Sequence, residues 1–159
     1  NYFSTTKELD YIQVGYNYRM STISAALALS QLKKINKIIK LRREKAEYFN
    51  KKLSKIKGIK TPIELKNHYN VYQMYTIQLE NNKSREELQQ NLTKAGIMTK
   101  VYFDPLHTKS LYRGKFNYRE GDLPETEKIS KKVLTLPLYP TISNKEMRYI
   151  VDNNKDCCG

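Results

Sequence analysis

The sequence predicts an α+β domain, a small and mainly antiparallel sheet covered by helices and led by one long helix. Three observations predict it. Apolar residues from Ala28 to Ile56 recur in steps of four and three. Short runs downstream carry β-branched and aromatic residues. Pairs of Ser or Asp with Glu three residues later stand between those runs, as helix starts do.

Residues 1–20 are polar and rich in Tyr and Asn, and they read as a loop. Ser21 can cap a helix. From there Ala28, Leu32, Ile35, Ile39, Ala46, Phe49, Leu53 and Ile56 make a single seam, with Arg42 in its one gap. That pattern predicts a long amphipathic helix over 21–57, with room for a kink. Its start, Ala25 to Leu29, is apolar nearly all round and is expected to be buried. Gly58 occupies the stop position. A coiled coil is the competing reading, but the run is short for one, and its mixed face suits packing against a domain.

Val71, Tyr72, Met74, Tyr75, Ile77 and Leu79 predict a strand, and Asn81-Asn82 a turn. Ser84 with Glu87 is a capping box opening a helix with Leu88, Leu92 and Ala95, up to Gly96. Ile97 to Phe103 reads as a second strand, which Pro105 ends. Residues 104–121 read as a loop. Asp122 with Glu125 opens another helix, carrying Ile129 and Val133. Leu134 to Leu136 is a short strand stopped by Pro137 and Pro140. Ser143 with Glu146 caps a last helix bearing Met147, Ile150 and Val151. The organisation expected is a loop (1–20), a linking helix (21–57) and an α+β domain (58–159).

A length of 159 residues suits one domain and buries roughly two-thirds of the unfolded surface. A start at Asn1 rather than Met is what a fragment or processed product would show. No apolar run approaches the ~20 residues of a bilayer span, and no basic-then-apolar leader precedes the first helix, so a cytoplasmic protein without a membrane partner is expected. Cys157 and Cys158 are adjacent; such neighbours form a strained disulfide and do not make a zinc site, so no metal is expected. The formal net charge is +13. It could attract nucleic acid or another polyanion. Most lysines lie between apolar helix positions, however, which favours solvated faces and no nucleic-acid partner.

The chemistry is incomplete. The only histidines are His68 and His107. There is no Ser-His-Asp arrangement, metal-ligand cluster or glycine-rich phosphate loop. No catalytic residue is assigned, and the residues alone lead to a basic α+β domain.

The run Gly15-Tyr16-Asn17-Tyr18-Arg19-Met20-Ser21, followed by Ile23, Ala25-Ala26 and Gln31-Leu32, resembles the signature of the DegT/DnrJ/EryC1/StrS sugar aminotransferases, fold type I enzymes that use pyridoxal 5'-phosphate (PLP). Arg42 and Arg43 with Tyr48 and Leu53 resemble a helix of that family. Gly96-Ile97 with Tyr102-Phe103-Asp104-Pro105-Leu106-His107 resembles its tyrosine-proline-leucine-histidine segment. Leu123 to Glu127, then Leu134 to Pro140, resembles its closing motif. The resemblance runs over residues 11 to 152 and implies the small C-terminal domain of such an enzyme, with a long inter-domain helix.

It also implies roles. The family moves an amino group from glutamate to a nucleotide-linked keto-sugar, making an amino sugar for polysaccharides or glycans. The cofactor is the electron sink. The Schiff-base lysine would lie upstream of Asn1, so this chain alone would be inactive. Asn17 matches an asparagine that reaches across a homodimer interface to the partner's PLP phosphate; a turn residue is the alternative. Arg19 matches a position facing the nucleotide-sugar phosphates, or makes an interface salt bridge. Tyr102 and Phe103 stand where many members carry histidine-tyrosine near the sugar nucleotide; two core aromatic residues are the alternative. His107 suits a substrate contact and a structural cap equally. Two other readings stay open: a non-catalytic binding or scaffold module, and a dehydratase-like relative with histidine in place of the upstream lysine.

Overall fold

The computed structural model describes residues 14–16 and 18–158, with side chains through residue 155. The chain divides into two compact units, Asn1–Ile35 and Asn36–Gly159.

In the first unit, α1 (Thr22–Leu32) starts at Ser21, whose hydroxyl accepts the Ser24 N–H at 3.2 Å, as the sequence predicts. None of its residues is buried. Ile23, Leu27, Leu29 and Leu32 are all more than half exposed. The burial expected for Ala25 to Leu29 is therefore not met within this chain. A helix that is apolar on every side needs neighbours on every side, and the described residues do not supply them.

The helix expected over 21–57 is two helices. α1 ends at Lys33-Lys34, where the Lys34 N–H bonds the Gln31 carbonyl at 2.9 Å in a tightened turn. α2 (Ile35–Leu53) then buries Ala46, Phe49 and Leu53 on one face. It stops before Gly58. Gly58 itself is left-handed, at φ +83°, and leads into β1.

The second unit is built on a three-stranded antiparallel sheet, in the order β1 (Ile59–Lys60), β2 (Tyr75–Leu79), β3 (Val133–Leu136). Ile59 pairs with Leu79, and Ile77 with Leu134. Along β2 the burial alternates: Tyr75, Ile77 and Leu79 point into the core, and Thr76 and Gln78 away from it. Phe49 of α2 sits 5.2 Å from the Tyr75 ring, centroid to centroid. The Tyr75 hydroxyl donates to Asn50 Oδ1 at 2.7 Å, so the buried phenol is satisfied. α3 (Asn82–Lys94) and α6 (Asn144–Cys158) lie side by side and close the core with Leu88, Leu92, Met147, Ile150 and Val151.

Several local expectations need correction. β2 is shorter than the strand predicted from Val71, because Tyr72 has φ +47° and breaks the extended run. Ile97 to Phe103 is no strand; only Lys100 makes a rung, exchanging both backbone bonds with Thr135 at 3.2 and 2.8 Å. The 104–121 loop contains a 3₁₀ turn (Leu106–Thr108) and α4 (Ser110–Phe116). α3 is capped by Asn81, not by a Ser84 box. Asp122 turns back to the Arg119 N–H at 2.8 Å instead of capping α5 (Pro124–Ser130), and Val133 lies in β3. The Ser143–Glu146 box is present in full: each residue's side chain accepts the other's N–H, at 2.7 and 3.1 Å.

α3 ends in a Schellman motif. The Ile97 N–H bonds the Leu92 carbonyl at 2.8 Å and the Gly96 N–H bonds the Thr93 carbonyl at 3.0 Å. Gly96 holds φ +74°, and no atom lies within 4 Å of where a Cβ would stand. Gly96→Ala therefore tests conformation alone. It is expected to cost about 1–2 kcal/mol, read as a lower urea midpoint with an unchanged slope. An unchanged midpoint would show that this turn does not hold the left-handed residue in solution.

Candidate functional site

The segment after the Schellman turn carries most of the sequence-predicted site. Ile97 is buried and anchors it, and Lys100 ties it to β3. Beyond that rung the chain turns outward. Tyr102 is 39% exposed and Phe103 71% exposed, so neither is a core residue. Their rings meet edge to face at 5.1 Å, and Lys100 Nζ stands 5.7 Å from the Tyr102 ring.

His107 is different. It is buried, its Nε2 lies 2.8 Å from Glu127 Oε1, and its ring meets Tyr118 edge-on. Glu127 Oε1 also accepts the Gly121 N–H at 2.8 Å. These contacts run inward and fix the 3₁₀ turn to α5, which supports the structural alternative for His107. The His107 and Gly121 hydrogen bonds hold the Glu127 carboxyl below the usual carboxylate range.

α2 holds the loop before β2. Arg42 Nη1 donates to the Tyr72 and Gln73 carbonyls at 3.2 and 3.1 Å. Arg43 Nη1 donates to Glu64 Oε1 at 3.0 Å and to the Asn70 carbonyl at 2.7 Å, and its guanidinium lies 4.2 Å over the Tyr69 ring. Arg43 in turn holds Glu64 below the usual carboxylate range. The loop before β2 is thus pinned by two adjacent arginines. The sequence signal was Arg42 itself, the one polar residue in an apolar seam.

A groove of about 340 Å³ is lined by Gln73, Met74, Met98, Lys100, Tyr102 and Tyr139, among others. A cleft of about 470 Å³ on the 101–109 segment is lined by Arg85, Asp104, Lys109, Arg113, Glu120 and Lys131. Its charges are largely paired: Lys109 with Asp104 at 2.7 Å, and Lys131 with Glu120 at 3.9 Å. Sequence reasoning missed Gln73 and the left-handed Tyr72, since neither stands in a recognisable motif.

Of the loop residues, Asn17 lies outside the described residues. Arg19 is exposed just before α1, close to Tyr16 and Tyr18, whose rings stack at 5.3 Å. Among the described residues no lysine is buried and no metal-binding cluster of His, Cys, Asp or Glu occurs. No helix among them is long and apolar enough to cross a membrane. A PLP site needs an enclosed lysine and a phosphate cradle. The described residues do not fit that requirement by themselves.

The architecture matches that of known aminotransferases. A DegT DnrJ EryC1 StrS aminotransferase from Brucella abortus superposes with a TM-score of 0.82 at 27% identity, over 98% of this chain and 40% of that one. S. venezuelae DesV, solved in complex with a ketimine intermediate, superposes with a TM-score of 0.83 at 26% identity, over 98% of this chain and 41% of that one. The fold is thus the small α+β part of a fold type I aminotransferase. The chain matches the model of the DegT/DnrJ/EryC1/StrS aminotransferase family over residues 2–154, and it belongs to that family. GDP-perosamine synthase from Escherichia coli O157:H7 is 31% identical over 140 residues, covering 88% of this chain and 37% of the relative. The chain therefore spans less than half the length of these relatives.

The part-buried His107–Glu127 pair makes a prediction about pH. A carboxyl whose folded-state pKa is depressed stabilises the fold fully above its unfolded pKa, and that stability is lost as pH falls through the folded value. Stability is therefore expected to fall on acidification below about pH 4, and Glu127→Gln is expected to flatten that fall. Urea midpoints measured from pH 6 to pH 3 check it. Equal acid sensitivity in the variant would remove Glu127 as a source.

Proposed function

We propose that this chain is the C-terminal part of a PLP-dependent nucleotide-sugar aminotransferase. The parent enzyme transfers the amino group of glutamate to a nucleotide-linked keto-sugar, and the amino sugar serves polysaccharide or glycan synthesis. The observation that carries the reading is the family match over residues 2–154, together with overlay on aminotransferase structures. The name of GDP-perosamine synthase supports a nucleotide-sugar product, and the DesV ketimine complex supports cofactor-borne amino transfer.

PLP supplies the electron sink when bound. The residues of this chain bind and orient. Asn17 donates amide N–H bonds to the cofactor phosphate of the other subunit, which makes the working unit a homodimer. Arg19 offers a bidentate fork to the substrate phosphates. Tyr102 gives a hydroxyl and a ring face to the sugar nucleotide. Phe103 gives a ring face without a hydroxyl. His107 holds their segment against α5. The chain alone lacks a lysine in a matching context and is inactive. The parent acts in the cytoplasm and needs neither nucleic acid nor a membrane.

Two outcomes are expected. The full-length parent with PLP shows a visible cofactor band that moves to the near ultraviolet when glutamate is added; the 159-residue chain shows neither. A parent that binds no cofactor with its upstream region intact would end the aminotransferase reading. Arg19→Ala in the parent raises KM for the nucleotide sugar about ten- to a hundredfold, the worth of a lost hydrogen bond to a charged group. The glutamate-driven band shift keeps its rate. Steady-state kinetics beside stopped-flow absorbance separate the two.

A further inference from the structure

Tyr72 holds φ +47°, where a bulky side chain is strained. Such a residue persists only where its surroundings over-determine it, and strained residues cluster at ligand sites. The over-determination here is specific. Arg42 Nη1 takes both the Tyr72 and Gln73 carbonyls, at 3.2 and 3.1 Å. The Tyr72 N–H donates to Asn70 Oδ1 at 2.8 Å, and the Asn70 carbonyl is held by Arg43 at 2.7 Å. Tyr72 itself is buried. The turn's product is Gln73, an exposed residue lining the same groove as Tyr102 and Lys100. No hydrogen bond within the described residues uses its carboxamide.

We propose that Gln73 is a substrate-positioning residue that binds the sugar ring of the nucleotide sugar, with Arg42 aiming it through the Tyr72 turn. This rests on the nucleotide-sugar reading given above. A carboxamide offers one acceptor and two donors, which match neighbouring sugar hydroxyls. Met74, Met98 and the Tyr102 ring give an apolar floor for the C–H face of the ring. At about 340 Å³ the groove suits one ring and not a whole nucleotide sugar, since sites for larger ligands reach about 1,000 Å³.

The test uses the full-length parent, with dTDP-glucose, UDP-glucose and GDP-mannose as probes beside the free nucleoside diphosphates. Calorimetric binding of these sugars requires no amino transfer. Wild type is expected to bind at least one. Gln73→Ala weakens that nucleotide sugar about tenfold, as loss of a buried ligand hydrogen bond does, and leaves the free diphosphate within twofold. Gln73→Asn, with a shorter reach, falls between. Arg42→Met, which donates to neither carbonyl, weakens the sugar ligand alone but adds nothing in the Gln73→Ala background. Melting temperatures confirm that every variant is folded. An unchanged affinity in Gln73→Ala, an equal loss for the free diphosphate, or a wild type that binds none of the three sugars overturns the proposal. Binding as expected without a glutamate-driven change in the cofactor band would retire the aminotransferase reading and leave this one standing.

Discussion

The grip of Arg42 on the Tyr72 and Gln73 carbonyls decides how the second unit is assembled. It ties α2 to the loop before β2 across thirty positions of sequence. It fixes where β2 begins, and so brings the Tyr75 ring onto Phe49 and its hydroxyl onto Asn50. The grip has opponents. A left-handed bulky residue costs about 1–3 kcal/mol, and Arg42 Nε is buried without a partner. Hydrogen bonds from a charged donor contribute about 1.5–3 kcal/mol each, and burying an aromatic side chain adds about as much again. The arginine bonds and the burial of Tyr72 together outweigh the strain and the orphaned Nε. That is why a polar residue can occupy a gap in an otherwise apolar seam.

The broad fold was legible because it rests on periodicity. The α2 seam, the alternation of β2 and the Ser143–Glu146 box each need only a few neighbouring residues to be read. Local readings failed where two local solutions competed. Asn81 and Ser84 both suit a helix start, and Asn81 won because its side chain accepts the Ser84 N–H, taking Ser84 into the first turn. Asp122 had a nearer donor in the Arg119 N–H. Ile97 to Phe103 has the composition of a strand, but β3 has four residues, pairs with β2 along its length, and offers this segment one rung at Thr135. Composition sets what a segment can do; the length of the available edge sets how much of it pairs.

The candidate site was less legible, for a related reason. Its defining contacts join residues far apart in sequence: Arg42 with Tyr72, and His107 with Glu127. Motif resemblance found Arg42, Tyr102 and His107 without finding their partners. It could not separate a histidine that touches ligand from one that holds a segment in place. Burial bears on that choice. His107 spends its ring on Glu127 and Tyr118, while Tyr102 and Phe103 stay outward. Gln73 carried no motif at all, and only the geometry of the preceding residue draws attention to it.

The two units make opposite demands, and this bears on how the charge should be understood. The second unit closes its own core: Phe49, Tyr75, Ile77, Leu92, Leu134 and Met147 are all almost fully buried within it. In the first unit α1 buries nothing, although Ile23, Leu27, Leu29 and Leu32 would each gain about 1.5–3 kcal/mol from burial. The described lysines, by contrast, are all exposed or half-exposed, and several pair with nearby carboxylates, as Lys109 does with Asp104 and Lys155 with Asp152. Exposed pairs of this kind contribute little. The unmet apolar demand of α1 is therefore the stronger force toward association, and the +13 charge is mostly the solvated outer face of helices whose inner faces are already satisfied. Association of this chain through α1 would be driven by apolar burial and only steered by charge.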